Sequence, residues 1–234
     1  MNLKRTLIAV SALLASTNSW STTIEFFNQT AFASNAGTLT TISFDGLTPG
    51  NGALHGNEFS ALGLSISQRD GLPMNIINLG GGSFVDSFPA SINSGTNGLS
   101  SSAILGVGHN DSYTDNFDFT FTNTVFAAGL WIGNTGPGSN EVQFLDSIGN
   151  IIANEVFTES HIGIVGTCYN CRIFYGITSD QAIATIRTIE GTFDADGIIY
   201  DDIQFTSASV PEPSTIALIM IGLAGTFFKR KISA

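Results

Sequence analysis

Phe117, Phe119 and Phe121 alternate with Asp118 and Thr120, which gives this stretch one apolar and one polar side at a period of two. Only extended backbone puts alternate residues on one face, so the segment has to be a strand with one face buried. Leu62, Leu64 and Ile66 repeat the pattern, and Ile199, Ile203 and Phe205 are expected to line one face of a last strand. Val142 and Phe144 run into Asp146-Ser147-Ile148-Gly149-Asn150, and Ile151 resumes the apolar pattern, which reads as a hairpin. Short runs rich in Thr, Val, Ile and Phe recur between clusters of Gly, Asn, Asp and Ser, and the middle of the chain shows no long amphipathic helix. An all-β fold follows, an antiparallel β-sandwich of jelly-roll type. Asn93 to Ser102, built of Asn, Ser, Gly and Thr with one Leu, is expected as a long polar surface loop.

The two ends follow different rules. Lys4 and Arg5 precede an apolar run from Leu7 to Ala15 broken only by Ser11, and small polar residues from Ser16 to Ser21 come next. Basic, apolar and small segments in that order make a secretory signal peptide, residues 1–21, with cleavage after Ser21. At the other end Val210, Pro211, Glu212, Pro213 and Ser214 lead into an uncharged stretch, Thr215 to Phe228, closed by Lys229, Arg230 and Lys231. The two prolines donate no backbone hydrogen bond and keep the strip extended. The apolar stretch is short against the roughly 20 residues that span a bilayer comfortably, and the basic cluster behind it would hold that end at the cytoplasmic side. Two readings fit: a single-pass transmembrane helix that serves as an address and is then removed, or a plain membrane anchor behind a proline hinge.

The three-part tail of Pro211-Glu212-Pro213, apolar helix and basic cluster resembles the PEP-CTERM sorting domain of Gram-negative, exopolysaccharide-producing bacteria. The resemblance covers residues 210–234. It implies an exosortase, a membrane-embedded cysteine transpeptidase, as partner, and processing at or near the Pro-Glu-Pro strip. It further implies transient residence in the inner membrane and delivery to the cell surface or outside.

Between the signals lies one domain, residues 22–209, long enough to bury a full core. Its only basic residues are Arg69, Arg172 and Arg187, against all of the chain's 19 acidic residues except Glu212. Nucleic acid is excluded as a partner, because phosphate binding depends on Lys and Arg. Cys168 and Cys171, the only cysteines, are expected to close a small disulfide in an oxidising compartment, with a redox pair as the other reading. Asp201 and Asp202 lie inside the last strand, next to the turn Asp194-Ala195-Asp196-Gly197. If Ile199 and Ile203 face the core, so does Asp201, and a carboxylate there needs a partner. Calcium ligated by Asp201, Asp202 and Asp45 is one answer, and backbone hydrogen bonds to a buried Asp are the other. The spacing is not that of an EF-hand. Ile42-Ser43-Phe44-Asp45-Gly46-Leu47 and Tyr200-Asp201-Asp202-Ile203-Gln204-Phe205 also resemble the opening and closing strands of jelly-roll cargo domains in PEP-CTERM proteins.

Catalytic signatures are missing. Gly80-Gly81-Gly82 is not followed by Lys-Ser or Lys-Thr, so it is no phosphate loop. No Gly-x-Ser-x-Gly elbow occurs, and His55, His109 and His161 lack metal spacing. His109-Asn110-Asp111 with Asp115 reads as a solvated turn. Trp131, the one Trp left after signal removal, sits between apolar neighbours and is expected to pack in the core. A non-enzymatic protein of the extracellular polysaccharide or biofilm matrix is the leading expectation. A carbohydrate-binding module and a secreted hydrolase using paired acids are the alternatives.

Overall fold

The computed structural model describes residues 21–78, 95, 97–100, 114–133, 140–157, 172–191 and 198–206. The proposed signal peptide (apart from Ser21), Cys168, Cys171, His109 to Asp111, Asp194, Asp196 and the tail from Val210 lie outside them. None of the described helices is long and apolar enough to cross a membrane.

Among the described residues eleven strands form the body: β1 (Thr23–Phe26), β2 (Thr40–Ile42), β3 (Gly50–Leu54), β4 (Leu64–Gln68), β5 (Met74–Asn78), β6 (Asn97–Ser100), β7 (Phe117–Gly133), β8 (Asn140–Leu145), β9 (Ile151–Phe157), β10 (Arg172–Ile189) and β11 (Ile199–Thr206). They pair in the order β3-β5-β6-β11-β7-β10-β8-β9, and β1, β2 and β4 join β10, β11 and β7. Each described pairing is antiparallel. β7 and β10, at 17 and 18 residues, are too long for one flat layer. Their mutual register breaks between Thr178 and Thr185. Thr122 to Thr124 and Asp180-Gln181 are exposed there. Before the break β7 pairs with β4, and after it with β11, so the two halves of this long strand have different neighbours.

The core between the layers holds Phe117, Phe119 and Phe121 together with Leu64, Ile66, Val142, Phe144, Tyr200, Ile203 and Phe205. The alternation in β7 therefore reports the fold directly. Leu62 departs from it: the chain closes a 3-10 turn at Ser60–Leu62 before β4 starts, and Leu62 stays 54% exposed. The β8–β9 hairpin forms as expected. Asp146 Oδ1 accepts from the backbone N–H of Ile148 and of Asn150 at 2.9 and 2.8 Å, and Gly149 takes φ +86°. A register break beside Leu145 leaves Ile151 outside, and Ala153 carries the buried face.

Asn97 to Ser100 corrects the reading of a polar surface loop. This stretch is β6, fully buried between β5 and β11. Its polar groups are tolerated there because backbone carbonyls and one buried carboxylate meet them. Asn97 Nδ2 donates to the carbonyls of Phe44 and Leu47 at 3.3 and 2.9 Å, and Ser100 Oγ donates to Asp115 Oδ1 at 2.9 Å. Asp115 corrects a second reading, since it is fully buried and no solvated turn. Its other oxygen accepts from Ile198 N at 2.7 Å, its own N–H donates to Glu190 Oε2, and its carbonyl accepts from Tyr200 Oη at 3.0 Å. One acidic residue thus ties the starts of β7 and β11 to the ends of β6 and β10.

The three arginines of the domain are all engaged. Arg187 grips Asp118 with both Nε and Nη2 at 2.8 Å, and Arg69 stands at 3.5 Å from the same carboxylate. Arg172 lies 5.6 Å above the Trp131 ring. Beside Arg69, the Asp70 carboxyl is held below the ordinary carboxylate range. The Thr114 hydroxyl is the main cause; partial burial opposes it, and Asn116, Gln68 and the Arg69 charge assist. A carboxyl depressed in the fold adds stability above its unfolded pKa of about 3.9, and that stability is lost as pH falls through the folded value. Asp70→Asn should therefore shrink the drop in urea midpoint between pH 7 and pH 3. An unchanged drop would remove Asp70 from the acid response.

Candidate functional site

The last strand positions the site. Asp201 pairs with Trp131 and Gln204 with Gly129, so Asp202 and Ile203 share one opposing residue and β11 carries a bulge. Asp202, at φ +42°, is the one non-glycine with positive φ among the described residues. The extra residue reverses the alternation. Tyr200 before it and Ile203 and Phe205 after it all reach the main core, while Asp201 and Gln204 share the opposite face. The expectation that Ile199 and Asp201 share one face with Ile203 and Phe205 is corrected by this bulge: Ile199 is fully buried but stands outside the main core cluster that holds Ile203 and Phe205.

On the Asp201 and Gln204 side of the sheet stands a helix that the sequence patterns do not announce, α1 (Gln29–Ala36), which packs on β10 and β1. Asn28 caps it by accepting from Ala31 N at 3.0 Å, and Gly37 ends it at φ +83° with its N–H on the Ala33 carbonyl. Phe32, fully buried, packs on Phe174 and Phe26 at ring distances of 5.3 and 5.8 Å. Trp131 meets Phe174 edge-on at 5.6 Å and joins this outer cluster, not the main core. Phe174 lies across Gly129 and Gly176, which oppose each other in the sheet, and a Cβ on Gly129 would stand 2.7 Å from the ring.

Between α1 and the sheet a shallow groove of about 570 Å³ is lined by Gln29, Thr30, Ala33, Ser34, Gly37, Leu39, Thr41 and Gln204. Gln204 is buried, and its Oε1 finds no hydrogen-bond partner among the described residues. Trp131 Nε1 is buried in the same condition. Nothing in the sequence patterns singled out Gln204. Only the bulge brings it to this face.

The expected calcium ligands are placed as follows. β2 pairs with β11, so Asp45 does follow a strand next to the last one. Its Oδ2 accepts from Ser43 Oγ at 2.8 Å and its Oδ1 from Asn97 N at 3.1 Å, beside Gly95 at φ +59°. Asp201 is fully buried, its Oδ1 accepting from Asp202 N at 2.7 Å, and Asp202 is 6% exposed. Among the described residues no three His, Cys, Asp or Glu side chains converge as a metal-binding group.

The remaining expectations concern the ends of the chain. Residues 209–231 match the family model of the PEP-CTERM protein-sorting motif. The chain carries a PEP-CTERM sorting signal. The match contains Val210, Pro211, Glu212, Pro213 and Ser214 as well as Lys229, Arg230 and Lys231. It marks an exported protein, sorted by an exosortase to the surface or the outside. No curated protein matches the chain. Among solved structures, the K2 cleaved adhesin domain of Lys-gingipain is similar over 72% of this chain and 99% of its own, at 13% identity and TM-score 0.47. The K3 cleaved adhesin domain of Lys-gingipain from Porphyromonas gingivalis aligns over 72% and 98%, at 12% identity and TM-score 0.38. The tandem CBM22 domain of Paenibacillus barcinonensis Xyn10C aligns over 76% of this chain and 48% of its own, at 14% identity and TM-score 0.38.

Proposed function

We propose that this PEP-CTERM protein is a non-enzymatic component of the extracellular polysaccharide matrix, displayed as a β-sandwich once its tail has been processed. The observation that carries the reading is the sorting motif at residues 209–231. It sits behind a strongly acidic sandwich with three arginines, each held in an internal contact. A surface so poor in free cations suits residence among neutral or hydrated polymers and repels nucleic acid.

The test is to isolate the exported protein with the extracellular polysaccharide of its own host and to follow reducing ends with time. The protein should sediment with the polymer and leave its chain length unchanged. New reducing ends, abolished by one Asp or Glu substitution that preserves the fold, would make it a hydrolase instead.

A further inference from the structure

We propose that Asp180 is the docking group for the amino terminus of the exported protein. Once the signal peptide is cut off after Ser21, the new α-ammonium of Thr22 pairs with the Asp180 carboxylate and fastens β1 to β10. Thr22 stands one step beyond the Thr23–Ser179 pair that opens the β1–β10 ladder. Its N–H donates to Asp180 Oδ2 at 3.0 Å, its hydroxyl donates to the same oxygen at 3.2 Å, and its carbonyl accepts from Asp180 N at 3.2 Å. Ser21 Oγ donates to the other oxygen, Oδ1, at 2.9 Å. Slight burial pushes the Asp180 carboxyl up, but the Thr22 N–H, the Ser21 and Thr22 hydroxyls and its own N–H together hold it below the ordinary carboxylate range. It is therefore an anion at neutral pH. Thr23 Oγ1 lies 3.0 Å from Ser179 Oγ, which also accepts from Gln181 N at 3.0 Å, so the chain is tied on both sides of Asp180.

The nitrogen that proteolysis would free is thus already in contact with a carboxylate. Hydrolysis of the Ser21–Thr22 bond leaves the oxygen of water on Ser21 as part of a carboxylate and both protons of water on Thr22 N. That nitrogen becomes an ammonium at neutral pH, since a free α-amino group has a pKa of about 7.7–8.0. One donor becomes three, and Ser21 departs with the signal and vacates Oδ1, so the ammonium can reach both oxygens. A hydrogen bond between ions is shorter and stronger than one between neutral groups. The first residues of a domain stay loose unless they are tied down, and among the described strands β1 pairs with β10 alone. The other carboxylate of β1, Glu25, accepts from the Tyr175 hydroxyl at 3.3 Å.

The inference rests on the reading of residues 1–21 as a signal peptide and is independent of the matrix reading. Residues 22–209 contain no Lys, so the Thr22 α-amine is the one primary amine of that domain. The test isolates the exported protein from its own host, sequences its amino terminus, and follows acetylation by an N-hydroxysuccinimide ester at pH 7. Acetyl groups are counted on the N-terminal peptide by mass spectrometry, so the result does not depend on removal of the tail. Asp180→Asn is compared with the parent, and Asp146→Asn serves as a control that removes one charge elsewhere. Thr22 should be the first residue. Asp180→Asn keeps an acceptor oxygen but loses the charge, and it should be acetylated about two- to fivefold faster, the effect of an exposed ion pair on the population of free amine. Asp146→Asn should match the parent. A purely structural hydrogen bond at Asp180 would survive in Asp180→Asn and leave the rate unchanged, which would overturn the ion pair while keeping the cleavage site. An equal gain in Asp146→Asn would overturn it too. A first residue other than Thr22 would overturn the inference together with the cleavage reading.

Discussion

Tyr200→Ala should cost about 3–5 kcal/mol, the range for emptying a fully buried aromatic site. Tyr200 is 1% exposed and meets Phe117 and Phe119 edge-on at 5.5 and 5.8 Å. In the sheet it lies between Leu99 of β6 and Ile132 of β7, so the cavity would open where three strands meet. Its hydroxyl also donates to the Asp115 carbonyl at 3.0 Å. Tyr200→Phe isolates that bond and should cost only about 0.5–1.5 kcal/mol. For a domain of this size the alanine variant should melt about 6–20 °C lower. A loss under 1 kcal/mol in urea titration would mean that the strand carrying Gln204 is not anchored from the core side.

Gly129→Val is the second large effect, and it acts on the outer face. A Cβ at this position would stand 2.7 Å from Phe174 Cζ, 2.9 Å from Gly176 Cα and 3.0 Å from the Tyr175 carbonyl oxygen. Two of those three neighbours are backbone, so the sheet itself must move. Overpacking of this kind costs about 1–3 kcal/mol and sometimes more. Phe174→Leu in the same chain should recover part of the loss, because the ring contact is relieved while the backbone contacts remain. The double variant should thus be less unstable than the sum of the singles, as residues in direct contact require. Additive losses in denaturant melts would show that Phe174 does not lie over the glycine pair.

The parts of this fold legible in the sequence are those where one local rule acts alone. Alternating Phe117, Phe119 and Phe121 could only be a half-buried strand, and Asp146 to Asn150 could only be a tight turn. The misread parts are where tertiary partners override composition. Asn97 and Ser100 look like loop residues, yet backbone carbonyls and Asp115 make them tolerable inside a central strand. Asp115 looked solvated because its partners come from Ser100 and Ile198, far away in sequence. The bulge at Asp202 was hidden for a different reason. A single residue in excess leaves both half-strands with sound alternation, and only pairing with β7 shows that they are out of phase. Helix α1 carried a readable cap in Asn28 and a stop in Gly37, but its eight residues are too few for a clear period. The candidate site depends on the bulge and the helix together, and so the strand reading alone could not give it. The sorting tail needs no tertiary partner to be recognised, which is why its residues were readable outright.

The central claim is that the C-terminal segment is a processed address and not an anchor. The measurement is intact mass with cell fractionation of the protein from its own host, beside a variant in which Pro211, Glu212 and Pro213 are replaced by alanine. The native protein should have lost both ends and left the inner membrane, and the variant should keep its tail and remain there. If both proteins keep the tail and stay in the inner membrane, the segment is an ordinary anchor and the claim is wrong.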